Sequence, residues 1–289
     1  MTDLAVSYWT LAGVLPGSGG ASRWPFAERV AAAAHAGFSG IGLTYADYAA
    51  TCARGYADED MVAVLGSYEV SVFEIEFLAG WSSDDPATQE AARRSERQLY
   101  EVADAVGAPN LNVGCSEALG ELPAIERVAE RFAQLCDRAV HHGLRVALEF
   151  MPWTGIPDAA TAWEIVRLAD RHNGGVLVDT WHYFRGAADP AQLRAIPPEG
   201  VFSVQINDGA SELVGTLRED TARRRRLPGE GDFDLAGLVR LLDGLGVSAP
   251  YAVEVMSEKL AALPLEDAAR RAFASTQAVL AKARAAGGA

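Results

Sequence analysis

A chain of 289 residues, 49% of them hydrophobic, has enough apolar material to fill one large core. Its net charge of −14 excludes the basic footprint that a nucleic-acid partner requires, and no apolar run is long enough to span a membrane. Three widely spaced cysteines (Cys52, Cys115, Cys136) form no Cys-x-x-Cys pair and read as reduced core thiols.

The first residues, Met-Thr-Asp-Leu-Ala-Val-Ser-Tyr-Trp, lack a basic stretch followed by a long apolar one, so a cytoplasmic location without a secretory leader is expected. From there, short β-branched or apolar runs alternate with Ala-, Arg- and Glu-rich stretches, the mark of βαβ units and a parallel sheet. Strands are predicted at 4–10, 40–45, 71–78, 110–114, 145–151, 175–181, 202–207 and 250–256. Helices are predicted at 25–36, 58–68, 86–106, 120–142, 159–172, 189–195, 234–245 and 264–285. Pro25, Asp58 and Pro86 mark helix starts, while Gly37, Gly66, Gly107, Gly143 and Gly246 mark stops.

Eight strand–helix pairs predict an α/β protein, a single (β/α)8 TIM barrel over residues 1–289. The competing doubly wound sheet normally carries a phosphate loop after its first strand. The Gly-rich segment 13–20 contains neither Gly-x-Gly-x-x-Gly nor a Walker lysine, and reads as a flexible loop beside the active-site face. The Ala-rich final helix, 268–286, is expected to close the barrel, and the sequence also leaves room for a homo-oligomer.

Four polar residues interrupt apolar runs at the ends of strands five to eight. They are Glu149 in Val-Ala-Leu-Glu-Phe, Asp179 in Val-Leu-Val-Asp-Thr-Trp-His, Gln205 in Ser-Val-Gln-Ile-Asn-Asp and Glu254 in Ala-Val-Glu-Val-Met. Burying one carboxylate is costly unless something pairs with it. Burying three, one βα unit apart, is best explained by a shared divalent cation at the barrel mouth. Four oxygen donors, three of them anionic, suit Mn²⁺ or Mg²⁺, with Co²⁺ an acceptable substitute.

His182 follows Asp179 by three residues and should face the mouth, where it can contact substrate or pass a proton. His35, His141, His142 and His172 fall in helices and read as surface or packing residues. The long segment 208–234 contains four consecutive arginines, 223–226, followed by Leu-Pro-Gly-Glu-Gly-Asp. Loops of that length are usually functional, and an arginine facing substrate is expected there. Trp9, Trp81, Trp153 and Trp181 lie near strand ends, and Trp9 and Trp153 are the candidates for an aromatic wall on a sugar or cyclitol.

The motifs Ala-Leu-Glu149-Phe, Val-Asp179-Thr-Trp-His182, Val-Gln205-Ile-Asn-Asp208, Arg225-Arg-Leu-Pro-Gly-Glu-Gly-Asp and Val-Glu254-Val resemble the xylose isomerase-like TIM-barrel superfamily, the sugar phosphate isomerase/epimerase group. The resemblance implies that Glu149, Asp179, Gln205 and Glu254 hold a catalytic divalent metal and that His182 and Arg225 contact substrate oxygens. The third ligand in the epimerase branch is commonly histidine. Gln205 instead resembles the hydroxypyruvate isomerase and 3-dehydroshikimate dehydratase branches.

These residues suggest proton abstraction next to a carbonyl, with the metal polarising the substrate and Glu149 and Glu254 serving as base and acid. Returning the proton to another face or carbon makes an isomerase or epimerase of a keto-sugar or cyclitol. Expelling a β-hydroxyl makes a dehydratase of the 3-dehydroshikimate or inosose type, and a non-catalytic sugar-binding barrel is the third reading.

Overall fold

The computed structural model describes residues 4–285, so the ends of the predicted 1–289 domain, Ala286 of the final helix among them, lie outside the described residues. Eight parallel strands close in sequence order. They are β1 (Leu4–Val6), β2 (Gly40–Thr44), β3 (Ser71–Leu78), β4 (Asn110–Gly114), β5 (Arg145–Glu149), β6 (Gly174–Asp179), β7 (Val201–Ile206) and β8 (Tyr251–Val253). Closure is made by β1 on β8, with Leu4 opposite Tyr251 and Val6 opposite Val253. The chain is thus a (β/α)8 barrel, as predicted. Among the described residues no helix is long and apolar enough to cross a membrane.

Local chemistry explains the outer helices. Asp85 caps the helix Pro86–Val106 by accepting from the Thr88 N–H, and the proline takes the first turn, where its missing N–H costs nothing. Gly107 ends that helix in the left-handed conformation, φ 68°. Gly66 does not act as the predicted stop. It lies inside Asp58–Ser67, and the positive φ falls on Glu69 instead.

Several predicted bounds differ from the structure, three of them for a visible local reason. Strand one stops at Val6, because Ser7 turns its hydroxyl onto Glu74 and the Tyr8 N–H donates to Glu76, starting the short helix Tyr8–Leu11. Strand six gives way at Asp179, whose carboxylate accepts from the Trp181 and His182 N–H groups and opens the helix Thr180–Arg185. The helix predicted at 120–142 begins only at Ile125, because residues 118–124 form a loop bridged by Ala118 to Thr154.

The barrel interior is layered. At the bottom, Phe73 packs with Ala5 and Ala252, and Phe202 packs with Ala147 and Leu177. The register of β3 against β2 slips between Val72 and Glu74, and that of β7 against β6 slips between Val201 and Ser203. Each slip inserts one phenylalanine without turning the following residues away from the axis. Small neighbours make room for these rings: a Cβ at Gly175 would come within 2.5 Å of the Phe202 ring. Above this dry floor the side chains become polar.

Candidate active site

Directly above the phenylalanines stand Ser7, Glu74, Asn112 and Gln205. Ser7 Oγ and Asn112 Nδ2 each donate to Glu74 at 2.6 Å, and Gln205 Nε2 lies 3.5 Å from the same carboxylate. One level higher, at the mouth, come Glu76, Glu149, Asp179 and Glu254, with His182 and Arg225 reaching in from the loops. All six are buried.

Arg225 is the cation of this cluster. Its Nη1 donates to Asp179 Oδ2 at 2.6 Å and to Glu254 Oε2 at 2.7 Å. Its Nε and Nη2 donate to Thr221 Oγ1 at 3.0 and 2.8 Å. Thr221 lies on the helix Leu217–Arg223, within the segment 208–234 that the sequence predicts to be a long loop. His182 Nε2 lies 3.2 Å from Glu149 Oε1, so the imidazole orients that carboxylate. The edge of Trp153 packs on the His182 ring with centroids 5.1 Å apart.

The predicted site residues therefore separate by position. Glu149, Asp179, Glu254, His182 and Arg225 form one contact network, Gln205 joins it from below through Glu74, and Trp153 borders it. Trp9 is half-buried on the short helix after β1, with its ring edge against Tyr8. Two acids of the centre, Glu74 and Glu76, escaped the sequence reading. Their signal was present in Val-Phe-Glu-Ile-Glu-Phe-Leu, where carboxylates interrupt an apolar strand just as at the other four positions.

Burial dominates the electrostatics. It pushes Glu74 from its ordinary value of 4.5 up to about 7, against the hydrogen bonds from Ser7, Asn112 and Gln205. Burial, reinforced by the negative charge of Glu74, holds Glu76 well above the usual carboxylate range, and Glu76 shares a hydrogen bond with Glu254. Glu254 is also raised by burial, which outweighs its pairing with Arg225. Asp179 goes the other way: burial would raise it, but the charges of Arg225 and His182 hold it low.

The consequence for Glu74 can be measured. A carboxyl whose folded value exceeds its unfolded value stabilises the fold fully below about 4.5, and that contribution is lost as pH rises through about 7. Metal-free protein should therefore show a falling Tm between pH 5 and 8. Glu74→Gln should flatten that slope, and an unchanged slope in the variant would remove Glu74 as its source.

The donors fit a divalent cation. One ligand atom each from Glu149, Asp179 and His182 lie within 4.8 Å of one another. Gln205 Oε1 is buried and has no hydrogen-bond partner, as is His182 Nδ1. A buried amide carbonyl without a partner is costly, and a hard cation satisfies it while neutralising the acids.

Residues 30–279 match the model of a family described as the xylose isomerase-like TIM barrel. A 3-dehydroshikimate dehydratase of Pseudomonas aeruginosa is 34% identical over 176 residues, 59% of this chain and 27% of that enzyme. An inosose isomerase of Bacillus licheniformis is 27% identical over 155 residues, 53% of this chain and 55% of the relative. The chain thus spans about a quarter and about half the length of these two curated relatives. A solved structure described as the IOLI protein with a bound zinc atom superposes with a TM-score of 0.85 over 98% of this chain and 99% of that one, at 19% identity.

Proposed function

The chain belongs to the xylose isomerase-like TIM-barrel family, and from that premise we propose that it is a divalent-metal-dependent isomerase or epimerase of a keto-sugar, cyclitol or related hydroxy-carbonyl compound. The observation that carries this reading is the unpartnered Gln205 Oε1 buried among the carboxylates. Glu149, Asp179, Gln205 and Glu254 would hold the ion, for which Mn²⁺ or Mg²⁺ suits the oxygen donors. When bound, the ion supplies Lewis-acid polarisation of the substrate's carbonyl and hydroxyl oxygens.

The chain's own residues do the rest. Glu149 and Glu254 rise from β5 and β8, three strands apart around the barrel, so a substrate between them presents a different face to each. One carboxylate takes the proton next to the carbonyl and the other returns one. Their surroundings differ, since Glu149 leans on His182 while Glu254 is gripped by Arg225 and touches Glu76. Such a difference separates base from acid. The unpartnered His182 Nδ1 is a donor for a substrate oxygen, Arg225 acts by holding Asp179, Glu254 and His182 in place, and Trp153 shields that side from water.

A second reading, dehydration, is favoured by the 34% identity to a 3-dehydroshikimate dehydratase. Both outcomes begin with the same proton abstraction and part only at the leaving hydroxyl.

The deciding experiment incubates Mn²⁺-loaded protein with a panel of ketoses, polyols, cyclitols and 3-dehydroshikimate in deuterated buffer, read by mass spectrometry. Deuterium at a substrate carbon with no other mass change supports isomerisation, and loss of one water supports dehydration. Chelation should abolish either reaction and Mn²⁺ restore it. Neither exchange nor dehydration across the panel, or turnover indifferent to exhaustive chelation, would overturn the reading.

A further inference from the structure

Behind the carboxylate centre, between the loops that follow β7 and β8, lies a cavity of about 290 Å³. Arg225, Arg226, Glu230, Lys259, Leu260 and Arg271 are among its lining residues. Arg225 borders both spaces, but its guanidinium is committed to Asp179 and Glu254. The other three cations face a single lining carboxylate, an excess of two positive charges in a chain whose net charge is −14.

Those charges are loosely held. Arg271 pairs with Glu230 at 2.9 Å, yet both side chains are nearly half exposed. Arg226 reaches Asp232 only at 3.7 Å, again with both side chains exposed. Pairs of this kind contribute little and are readily re-aimed. Lys259 makes no hydrogen bond or ion pair among the described residues. Its neighbour Glu258 does not neutralise it, because Arg223 binds that carboxylate at 2.9 Å. Val255, Leu260 and Leu263 supply an apolar side to the same cavity. In α/β barrels the loops after strands seven and eight frequently form a phosphate site.

We propose that this cavity is an oxyanion site for a phosphate monoester, with Lys259, Arg226 and Arg271 on the phosphate and the leucines against the carbon part. The phosphate can belong to the substrate or to a separate effector, and the chemistry of recognition is the same. This inference does not rest on the reaction proposed above.

The test is isothermal titration of the full chain with inorganic phosphate at constant ionic strength, with sodium chloride as control. Saturable binding is expected, weakened at least about tenfold in Lys259→Gln/Arg271→Gln. Both positions are solvent-exposed, and an unchanged Tm confirms that the variant folds. Absence of saturable binding, or equal affinity in the double variant, overturns the proposal. A phosphorylated ketose or cyclitol then identifies the source. Displacement of phosphate with turnover assigns the group to substrate, and displacement without turnover assigns it to an effector. Failure to displace overturns the monoester assignment. Because the readout is binding without metal or turnover, its failure leaves the catalytic reading untouched.

Discussion

Replacing Glu254 by glutamine is expected to lower turnover by about a thousandfold or more while leaving the barrel folded. The amide keeps the size of the carboxyl and still accepts from Arg225 Nη1, which now lies 2.7 Å from Oε2. What the substitution removes is the group that carries a proton and, under the reading above, one anionic ligand. The loss should appear in kcat, together with weaker Mn²⁺ binding by titration calorimetry. Turnover within about tenfold of the parent would take Glu254 out of the chemistry.

The second large effect is on stability. Arg225→Met should destabilise the metal-free protein by about 3–5 kcal/mol, the usual range when one partner of a buried ion pair is removed. The guanidinium is the group that lets Asp179 and Glu254 approach a common point, and both its partners are buried with it. Without it, two carboxylates face each other in a low-dielectric pocket. At about 2 °C per kcal/mol for a domain of this size, the Tm should fall by roughly 6–10 °C. Under the proposed metal reading saturating Mn²⁺ would supply the missing positive charge, so the metal-induced rise in Tm should be larger in the variant than in the parent. Equal Tm values with and without chelator in both proteins would show that Arg225 does not balance these acids.

How far the sequence foretold this centre depended on the kind of signal. Polar residues at the ends of four apolar runs stood out, and all four are buried inside the barrel, three at the mouth and Gln205 one level below. Glu74 and Glu76 gave the same signal in the middle of a strand, where attention to strand ends passed over them. The helix Leu217–Arg223 was also legible, since Thr216 and Glu219 form a capping box. It was hidden inside a segment read as one long loop. Strand one was overextended through Tyr8 and Trp9 because a short apolar run does not distinguish strand from helix. What breaks it there is contact with Glu74 and Glu76, residues 67 and 68 positions away, and no local pattern encodes that. Arg225 was expected to face substrate from a loop. Its complete burial between two carboxylates required the three-dimensional arrangement.

The two register slips around Phe73 and Phe202 bear on which changes of chain length the barrel can absorb. Side chains alternate along a strand, so deleting one residue sends every later one to the opposite face. Phe73 and Phe202 are the exceptions, because each is the extra residue of its slip: without Phe73, Glu74 would follow Val72 in regular alternation and stay in the lumen with Glu76, and without Phe202 the same holds for Ser203 and Gln205. Insertions in the loops leave that alternation untouched. Related chains can therefore diverge freely in loop length and can lose either extra residue, whereas a single deletion at Ile75 or Val204 would turn Glu76 or Gln205 out of the lumen.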